Sequence, residues 1–395
     1  MSVRSLLLSF IAILWLWAAA ALAQVEPWQD HMDTGVKAYQ QGNYPEAEKQ
    51  FTAAVKEAEG FGPQDPRLAT SLNSLAVLYK AQGKYAEAEP LYKRALAVRV
   101  KALGPEHPEV ATSLNNLAVL CEAQGKYAEA EPFHKRALAI YEKALGSDHP
   151  HVATSLNNLA ALYRTKGRYA EAESLYKRAL AIDEKALGSD HPSFATDLNN
   201  LAALYRTQDR YAEAEALYKR ALAIWEKALG PEHPHVAMSL NNLAELYHTQ
   251  DRYAEAEALY KRALAIAEIA LGPDHPLVAT ILSNLERLYY AQDRYVDAGT
   301  LLPRVVAIRG NALGPDLAFT PINRAIRKGT LFRMGAIRGW FRLIFGPEGP
   351  RPDRLYGKDM IAVHGNSFPM YDRTYLRSGP VLGARLQPRS FQQNQ

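Results

Sequence analysis

Hydrophobic positions along the chain fall into helix-spaced stripes, and the stripes recur every 42 residues. In residues 109–150 the first stripe consists of Val110, Leu114, Leu117, Ala118 and Cys121. The second consists of Ala130, Phe133, Ala137, Leu138 and Tyr141. Both follow the i, i+3, i+4 spacing that places side chains on one face of a helix. The pattern therefore predicts two amphipathic helices in each period, the second over about residues 127–145.

Turn residues separate these helices at fixed places. Pro108 suits a first helical turn, where its missing N–H costs nothing. Gly125 and Gly146 follow the two stripes and can take the positive φ that ends a helix. A His-Pro dipeptide opens each new period, at His107, His149, His191, His233 and His275. We interpret this dipeptide as the turn that starts the next helix.

The surface pattern and the apolar pattern together predict a stack of hairpins. Glu131 and Lys135 lie four residues apart in the favourable order, and Glu173–Lys177, Glu215–Lys219 and Glu257–Lys261 repeat the pair. Ala118 and Ala130 leave room for the two helices of a hairpin to approach closely. A single hairpin cannot bury its own apolar face, whereas stacked neighbours can.

The repeat resembles the tetratricopeptide repeat. Residues 109–150 match its pattern at Leu114, Leu117, Ala118, Gly125, Tyr127, Ala130 and Ala137. The eight additional residues per unit, with the Leu-Gly-Pro-Glu/Asp-His-Pro turn, resemble the kinesin-light-chain type. The resemblance covers about residues 28–316 and implies an all-α, right-handed superhelical solenoid of about seven hairpins.

The two outermost repeats of this predicted array, which we place over residues 24–316, depart from the pattern. Asp65 stands where later repeats have histidine, and Ser283 replaces the first asparagine of the Leu-Asn-Asn run. Degenerate terminal repeats are typical of caps in repeat proteins.

The resemblance places the first helix of each hairpin on the concave face, so three positions per repeat are candidate groove residues. The first is the leading asparagine, at Asn73, Asn115, Asn157, Asn199 and Asn241. Seven residues further on stand Lys80, Glu122, Arg164, Arg206, His248 and Tyr290. Four residues after the asparagine stand Val77, Val119, Ala161, Ala203, Glu245 and Arg287. The predicted groove thus runs from apolar, through basic, to mixed.

This groove predicts a protein or peptide partner with an acidic group and an apolar anchor. Asparagine can bond an extended main chain, and arginine can pair a carboxylate bidentately. Structural alternatives stay open: the leading asparagines can hold neighbouring repeats together, as we expect of the second asparagines Asn116, Asn158, Asn200 and Asn242. Arg164 and Arg206 can be solvated surface charges.

Catalytic chemistry has no recognisable motif here, and we expect an interaction protein without enzyme activity or a cofactor. The sequence has no Gly-rich phosphate loop, nucleophile elbow or metal-ligand cluster. Histidines in equivalent turns of stacked hairpins, such as His149 and His233, are too far apart to share a zinc ion. Cys121 stands at a tyrosine position and is expected to be a small buried hydrophobe. A net charge of +4 provides no field that favours nucleic acid.

The N-terminus predicts export. Arg4 precedes an apolar run from Leu6 to Trp17, and Ala21-Leu22-Ala23 resembles a signal-peptidase site, so residues 1–23 are predicted to be a cleaved signal peptide. The predicted location is periplasmic or secreted. The alternative is an uncleaved membrane anchor, since the apolar stretch is near the lower length limit for a span.

The chain after residue 316 is basic, with thirteen Lys/Arg and four Asp/Glu over residues 317–395. Within 317–345, the segment 322–345 has Ile322, Ile326 and Trp340 on one side of a helical wheel and arginines opposite. It predicts a basic amphipathic helix, which either packs on the last repeat or docks on a membrane surface or partner. Residues 346–395 are rich in Gly, Pro and Arg and are predicted to be loop or flexible tail.

Overall fold

The computed structural model describes residues 27–313, and all regular structure in this range is helical. The helices are α1 Pro27–Gln40, α2 Tyr44–Gly60, α3 Pro66–Ala81, α4 Tyr85–Leu103, α5 Pro108–Ala123, α6 Tyr127–Leu145, α7 Pro150–Thr165, α8 Tyr169–Leu187, α9 Pro192–Thr207, α10 Tyr211–Leu229, α11 Pro234–Thr249, α12 Tyr253–Leu271, α13 Pro276–Ala291 and α14 Tyr295–Leu313. The predicted signal segment 1–23, amphipathic helix 317–345 and tail 346–395 lie outside the described residues.

Each odd-numbered helix packs on the following even-numbered helix, so the chain forms seven hairpins, here called repeats 1 to 7. Each hairpin packs on the next, and from α5 to α13 successive odd helices also contact each other. The odd helices are buried on most sides, whereas the even helices bury one stripe each. The predicted α-solenoid of about seven hairpins is therefore confirmed, with the odd helices forming its inner layer.

The His-Pro turn caps the odd helices, as the sequence predicted. Nδ1 of His149 accepts a hydrogen bond from the backbone N–H of His151 at 3.1 Å, and Pro150 is the first helical residue. His107, His191, His233 and His275 make the same bond, and Asp65 does so in repeat 2. A side-chain acceptor at this place satisfies an N–H group that the helix leaves without a partner.

Inside each hairpin the predicted small residues allow close contact. Ala118 and Ala130 are fully buried where the two helices of repeat 3 meet. The second stripe of repeat 3 has one buried member that was not predicted: His134 is fully enclosed, beside the half-buried Phe133, which packs against the core. Repeats 2, 4, 5 and 6 have Tyr92, Tyr176, Tyr218 and Tyr260 at this place, all buried.

A ladder of ion pairs joins the repeats on the outside. Glu131 accepts a hydrogen bond from Tyr163 of the next repeat and pairs with Lys135 and Arg168. The guanidinium of Arg168 also covers the Tyr163 ring, 3.8 Å from its centroid. Glu173, Glu215 and Glu257 repeat this arrangement. The predicted Glu–Lys pairs are thus confirmed, and each glutamate also contacts the following repeat.

Candidate functional site

The surface that the inner layer of odd helices presents is here called the groove. At its predicted apolar positions, Val77 and Ala203 are each only 4% exposed, whereas Val119 and Ala161 are half-buried. Among its ionic side chains, Arg206 is 20% and Glu245 23% exposed. Both charged and apolar side chains of the groove therefore reach solvent.

The leading asparagines lie on the odd helices and bond to the next repeat. The Oδ1 atoms of Asn73, Asn199 and Asn241 accept hydrogen bonds from Nδ2 of Asn116, Asn242 and Asn284, at 2.7, 3.0 and 2.9 Å. Nδ2 of Asn115 donates to Ser155, and Nδ2 of Asn157 donates to Asp197. These bonds give the asparagines a stacking role, as they do the second asparagines Asn116 and Asn242. A ligand-binding role for the five leading asparagines stays a prediction.

The strongest charge cluster of the groove joins repeats 5, 6 and 7. Oε1 of Glu245 on α11 lies 3.0 Å from Nη1 of Arg206 on α9 and 3.3 Å from Nη2 of Arg287 on α13. Two cations thus share one carboxylate oxygen, which leaves the cluster with a net charge of +1. The Nε atoms of Arg206 and Arg287 are buried and have no hydrogen-bond partner within the described part of the chain.

The electrostatics of this cluster favour full ionisation. Burial opposes the charge of Arg206, but the neighbouring Glu245 carboxylate outweighs it and holds the pKa of the guanidinium above its usual value. Burial likewise opposes ionisation of Glu245, but Arg206 and Arg287 hold the pKa of this carboxyl below its usual value. The unbalanced positive charge is therefore permanent near neutral pH.

Aromatic side chains border the cluster. Burial raises the pKa of Tyr218 to about 12, so its hydroxyl keeps its proton near neutral pH. It can donate or accept a hydrogen bond but carries no charge. His248 is neutral, because burial first and the charge of Arg287 second lower the pKa of its imidazole to about 4. The predicted groove residue His248 therefore adds no charge of its own.

The remaining predicted groove residues lie on the same inner layer. Lys80 on α3 and Arg164 on α7 are half-buried. The sequence interpretation missed His134, whose Nε2 lies 2.7 Å from Glu122 and whose Nδ1 lies 2.9 Å from Oδ1 of Asn115. It also missed that Glu245 joins two arginines. The 42-residue alignment carried a signal for both: a histidine among buried tyrosines, and alternating charges at adjacent groove positions.

Within residues 27–313, no group of three or more His, Cys, Asp or Glu side chains could hold a metal ion. Across the same residues, no helix combines the length and apolar character needed to cross a bilayer.

The sequence profile of the tetratricopeptide repeat family matches residues 36–99, 73–143, 109–185, 193–269 and 250–311, well over half of the chain. No curated protein matches the chain.

Three solved structures illustrate the likeness. The nearly identical TPR-like repeats of a putative kinesin light chain from Podosopora anserina are 33% identical over 52% of this chain and 97% of that one, with a TM-score of 0.42. BtubC (BKLC) from P. vanneervenii is 24% identical over 60% of this chain and 92% of its own, with a TM-score of 0.44. The Rap conjugation gene regulator of plasmid pLS20, in complex with the Phr* peptide, is 16% identical over 74% and 76%, with a TM-score of 0.55.

Proposed function

Because the chain belongs to the tetratricopeptide repeat family, in its kinesin-light-chain-like form, we propose that it is an interaction scaffold that binds a peptide in its groove. The Rap regulator shares the fold, and its structure is of a complex with the Phr* peptide, so this fold can accept such a ligand. Proteins of one fold serve different partners, so the ligand chemistry must come from the groove itself.

The observation that carries the proposal is the cluster of Arg206, Glu245 and Arg287. Two guanidiniums on one carboxylate oxygen leave one positive charge without a counter-charge, on side chains that are 20% and 34% exposed. A ligand carboxylate would supply the missing negative charge and accept hydrogen bonds from the exposed guanidinium groups. An acidic group is therefore the ligand chemistry that this place fits best.

The apolar end of the groove supports the second part of the proposal. Val77 on α3 and Val119 on α5 lie at the groove position that Glu245 and Arg287 occupy in repeats 6 and 7. Val119 is half-buried, whereas Val77 is buried, so an extended peptide would place an apolar side chain at Val119 and an acidic one near repeats 5 to 7. The leading asparagines would contribute chiefly by holding the repeats in register.

A binding experiment tests this assignment. We expect a short fluorescent peptide of alternating leucine and glutamate to bind, and its leucine–lysine counterpart not to bind, in fluorescence anisotropy. The double variant Arg206→Gln/Arg287→Gln should lower the affinity for the acidic peptide at least about tenfold, which corresponds to about 1.4 kcal/mol of binding free energy.

The chain offers a matched control on its outer face. Arg178 pairs with Glu142, and Arg262 pairs with Glu226, at 2.7 and 2.6 Å on even helices. The variant Arg178→Gln/Arg262→Gln removes the same two charges away from the groove and should bind as the unmodified chain does. Equal affinities of the two double variants for the acidic peptide would contradict the assignment.

Two further proposals concern the ends of the chain and rest on sequence alone. We propose that residues 1–23 direct export to the periplasm or outside the cell, with an uncleaved anchor as the alternative; N-terminal sequencing of the secreted chain distinguishes them. The alternative function is a membrane-surface assembly factor held by the basic segment 322–345. Equal flotation with anionic liposomes of the full chain and of a chain ending at residue 317 would rule this out.

A further inference from the structure

Repeat 1 touches repeat 7. Gly42 lies in the turn between α1 and α2, and a Cβ added to it would lie 3.4 Å from Cδ of Pro276 and 3.5 Å from Cα of His275. His275 and Pro276 form the start of α13, six repeats further along the stack. The array therefore returns to its own beginning within seven hairpins.

The turn itself does not explain this contact. Gly125 and Gly167 occupy the same turn in repeats 3 and 4 with a φ of +73°, nearly identical to the +72° of Gly42. A Cβ added at either of them would meet nothing within 4 Å. The closeness at Gly42 is thus a consequence of its place in the superhelix.

The other side of the contact shows the same enclosure. Burial lowers the pKa of the His275 imidazole to about 4, and no charged neighbour contributes to this shift. His275 also caps α13 through its Nδ1 atom, so the residue that meets repeat 1 is fixed in place by its own helix.

We propose that repeats 1 and 7 close the array into a ring, so that the groove accepts an extended chain with a free end rather than a segment inside a folded protein. This inference rests on the proposed peptide-binding function. When repeats 1 and 7 are in contact, no lateral opening remains between the first and last hairpins. A ligand then has to enter along the axis of the ring.

Ring closure is tested by a disulfide. A Cβ at Gly42 would lie 3.5 Å from the His275 Cα, which puts the two Cα atoms at most about 5 Å apart and so within reach of a disulfide. Gly42→Cys/His275→Cys should therefore form an intramolecular bond on mild oxidation. Gly167→Cys/His275→Cys is the control, because it has the same backbone strain and the same lost cap but no contact partner. Both pairs carry Cys121→Ala, which removes the native thiol. Mass spectrometry under non-reducing conditions reads out both. Absence of the bond in the first pair, or equal bond formation in the two pairs, overturns closure.

The locked ring then tests the passage of the ligand. Oxidised Gly42→Cys/His275→Cys should bind the free-ended leucine–glutamate peptide, but its affinity should fall at least tenfold (about 1.4 kcal/mol) when small folded domains are fused to both peptide ends. Because the proposed ring is closed without a disulfide, the reduced protein should show the same preference for the free-ended peptide. Equal binding of both peptides by the oxidised protein overturns axial passage. If no form binds either peptide, the proposed function fails, whereas the disulfide result still decides whether the ring is closed.

Discussion

Asn157 donates a hydrogen bond from Nδ2 to Oδ1 of Asp197 at 2.5 Å, across the interface between repeats 4 and 5. Asp197 is 1% exposed, and Asp183, 4% exposed, faces the same interface. The equivalent position to Asp197 is serine in four other repeats, at Ser71, Ser113, Ser155 and Ser239. Among the described residues, Oδ2 of Asp197 has no hydrogen-bond partner. Asp197 is therefore buried close to a second carboxyl group without enough hydrogen bonds to stabilise its charged form.

Replacing Asp197 by serine should stabilise the protein near neutral pH. Burial first, and the charge of Asp183 second, raise the pKa of Asp197 well above its usual value. A group with a raised pKa stabilises the fold while it is protonated, and this contribution is lost as pH rises through its folded pKa. We expect Asp197→Ser to increase the free energy of unfolding at pH 8 by about 1–3 kcal/mol, the scale of an unsatisfied buried polar group. Urea denaturation measures the change.

Ser155→Ala is a suitable control for the loss of the interface hydrogen bond alone. Ser155 accepts a hydrogen bond from Asn115 at the same place one repeat earlier. Its replacement by alanine should slightly lower the free energy of unfolding without changing how that free energy depends on pH. If Asp197→Ser destabilised the protein equally at pH 5 and pH 8, the carboxyl would be serving the interface as an anion, contrary to this argument.

His275 should make the protein sensitive to acid. Its Nδ1 accepts the N–H of Leu277, and only the unprotonated nitrogen can do so. Because burial lowers its pKa to about 4, His275 contributes stability that is complete above the unfolded value near 6.5 and is lost as pH falls toward 4. One proton gives a slope of at most about 1.4 kcal/mol per pH unit in this window. Denaturant titrations between pH 4 and pH 7 measure it.

His275→Asp should remove this part of the slope. Aspartate accepts the same N–H, as Asp65 does for Arg67 in repeat 2, and its charge suits a helix N-terminus. Stability at pH 7 should therefore change little, while the slope between pH 4 and pH 6.5 becomes shallower. An unchanged slope would mean that the imidazole of His275 is accessible in the folded protein.

The sequence contained most of the fold and only part of the site. The 42-residue period predicts the hairpins, because burial on one helix face and a fixed turn are local properties. The period also places Arg206 and Glu245 in successive repeats, but not their contact, which depends on the rotation between hairpins. The contact between Gly42 and His275 depends on the total rotation over six such interfaces, which the residue pattern does not predict. His134 was not predicted, because a search for apolar residues at helix spacing passes over a polar residue that takes a buried place beside the stripe.

Cys121→Tyr should stabilise repeat 3. Cys121 stands where repeats 4 to 7 have a tyrosine whose hydroxyl bonds to a glutamate of the preceding repeat, as Tyr163 bonds to Glu131. Glu89 is the equivalent glutamate for Cys121. A new hydrogen bond to a charged group contributes about 1.5–3 kcal/mol. Thermal unfolding checks the gain, and the reverse change Tyr163→Cys should lower stability by a similar amount. A lower midpoint for Cys121→Tyr would show that repeat 3 has packed around the smaller side chain.

Glu245→Gln should strengthen binding of the acidic peptide. Glutamine keeps the Oε1 atom as an acceptor for Arg206 and Arg287 but removes the charge, so the net charge of the cluster rises from +1 to +2. Glu245 competes with a ligand carboxylate for the same two guanidiniums, and its neutralisation should raise affinity about three- to tenfold, more at low salt, since exposed charges are screened. The unfolding free energy should fall, because two half-buried cations lose their counter-charge.

Glu142→Gln, which removes the partner of Arg178 on the outer face, controls for a general change in net charge and should leave affinity unchanged. Weaker binding by Glu245→Gln would instead mean that the carboxylate contacts a donor group of the peptide itself.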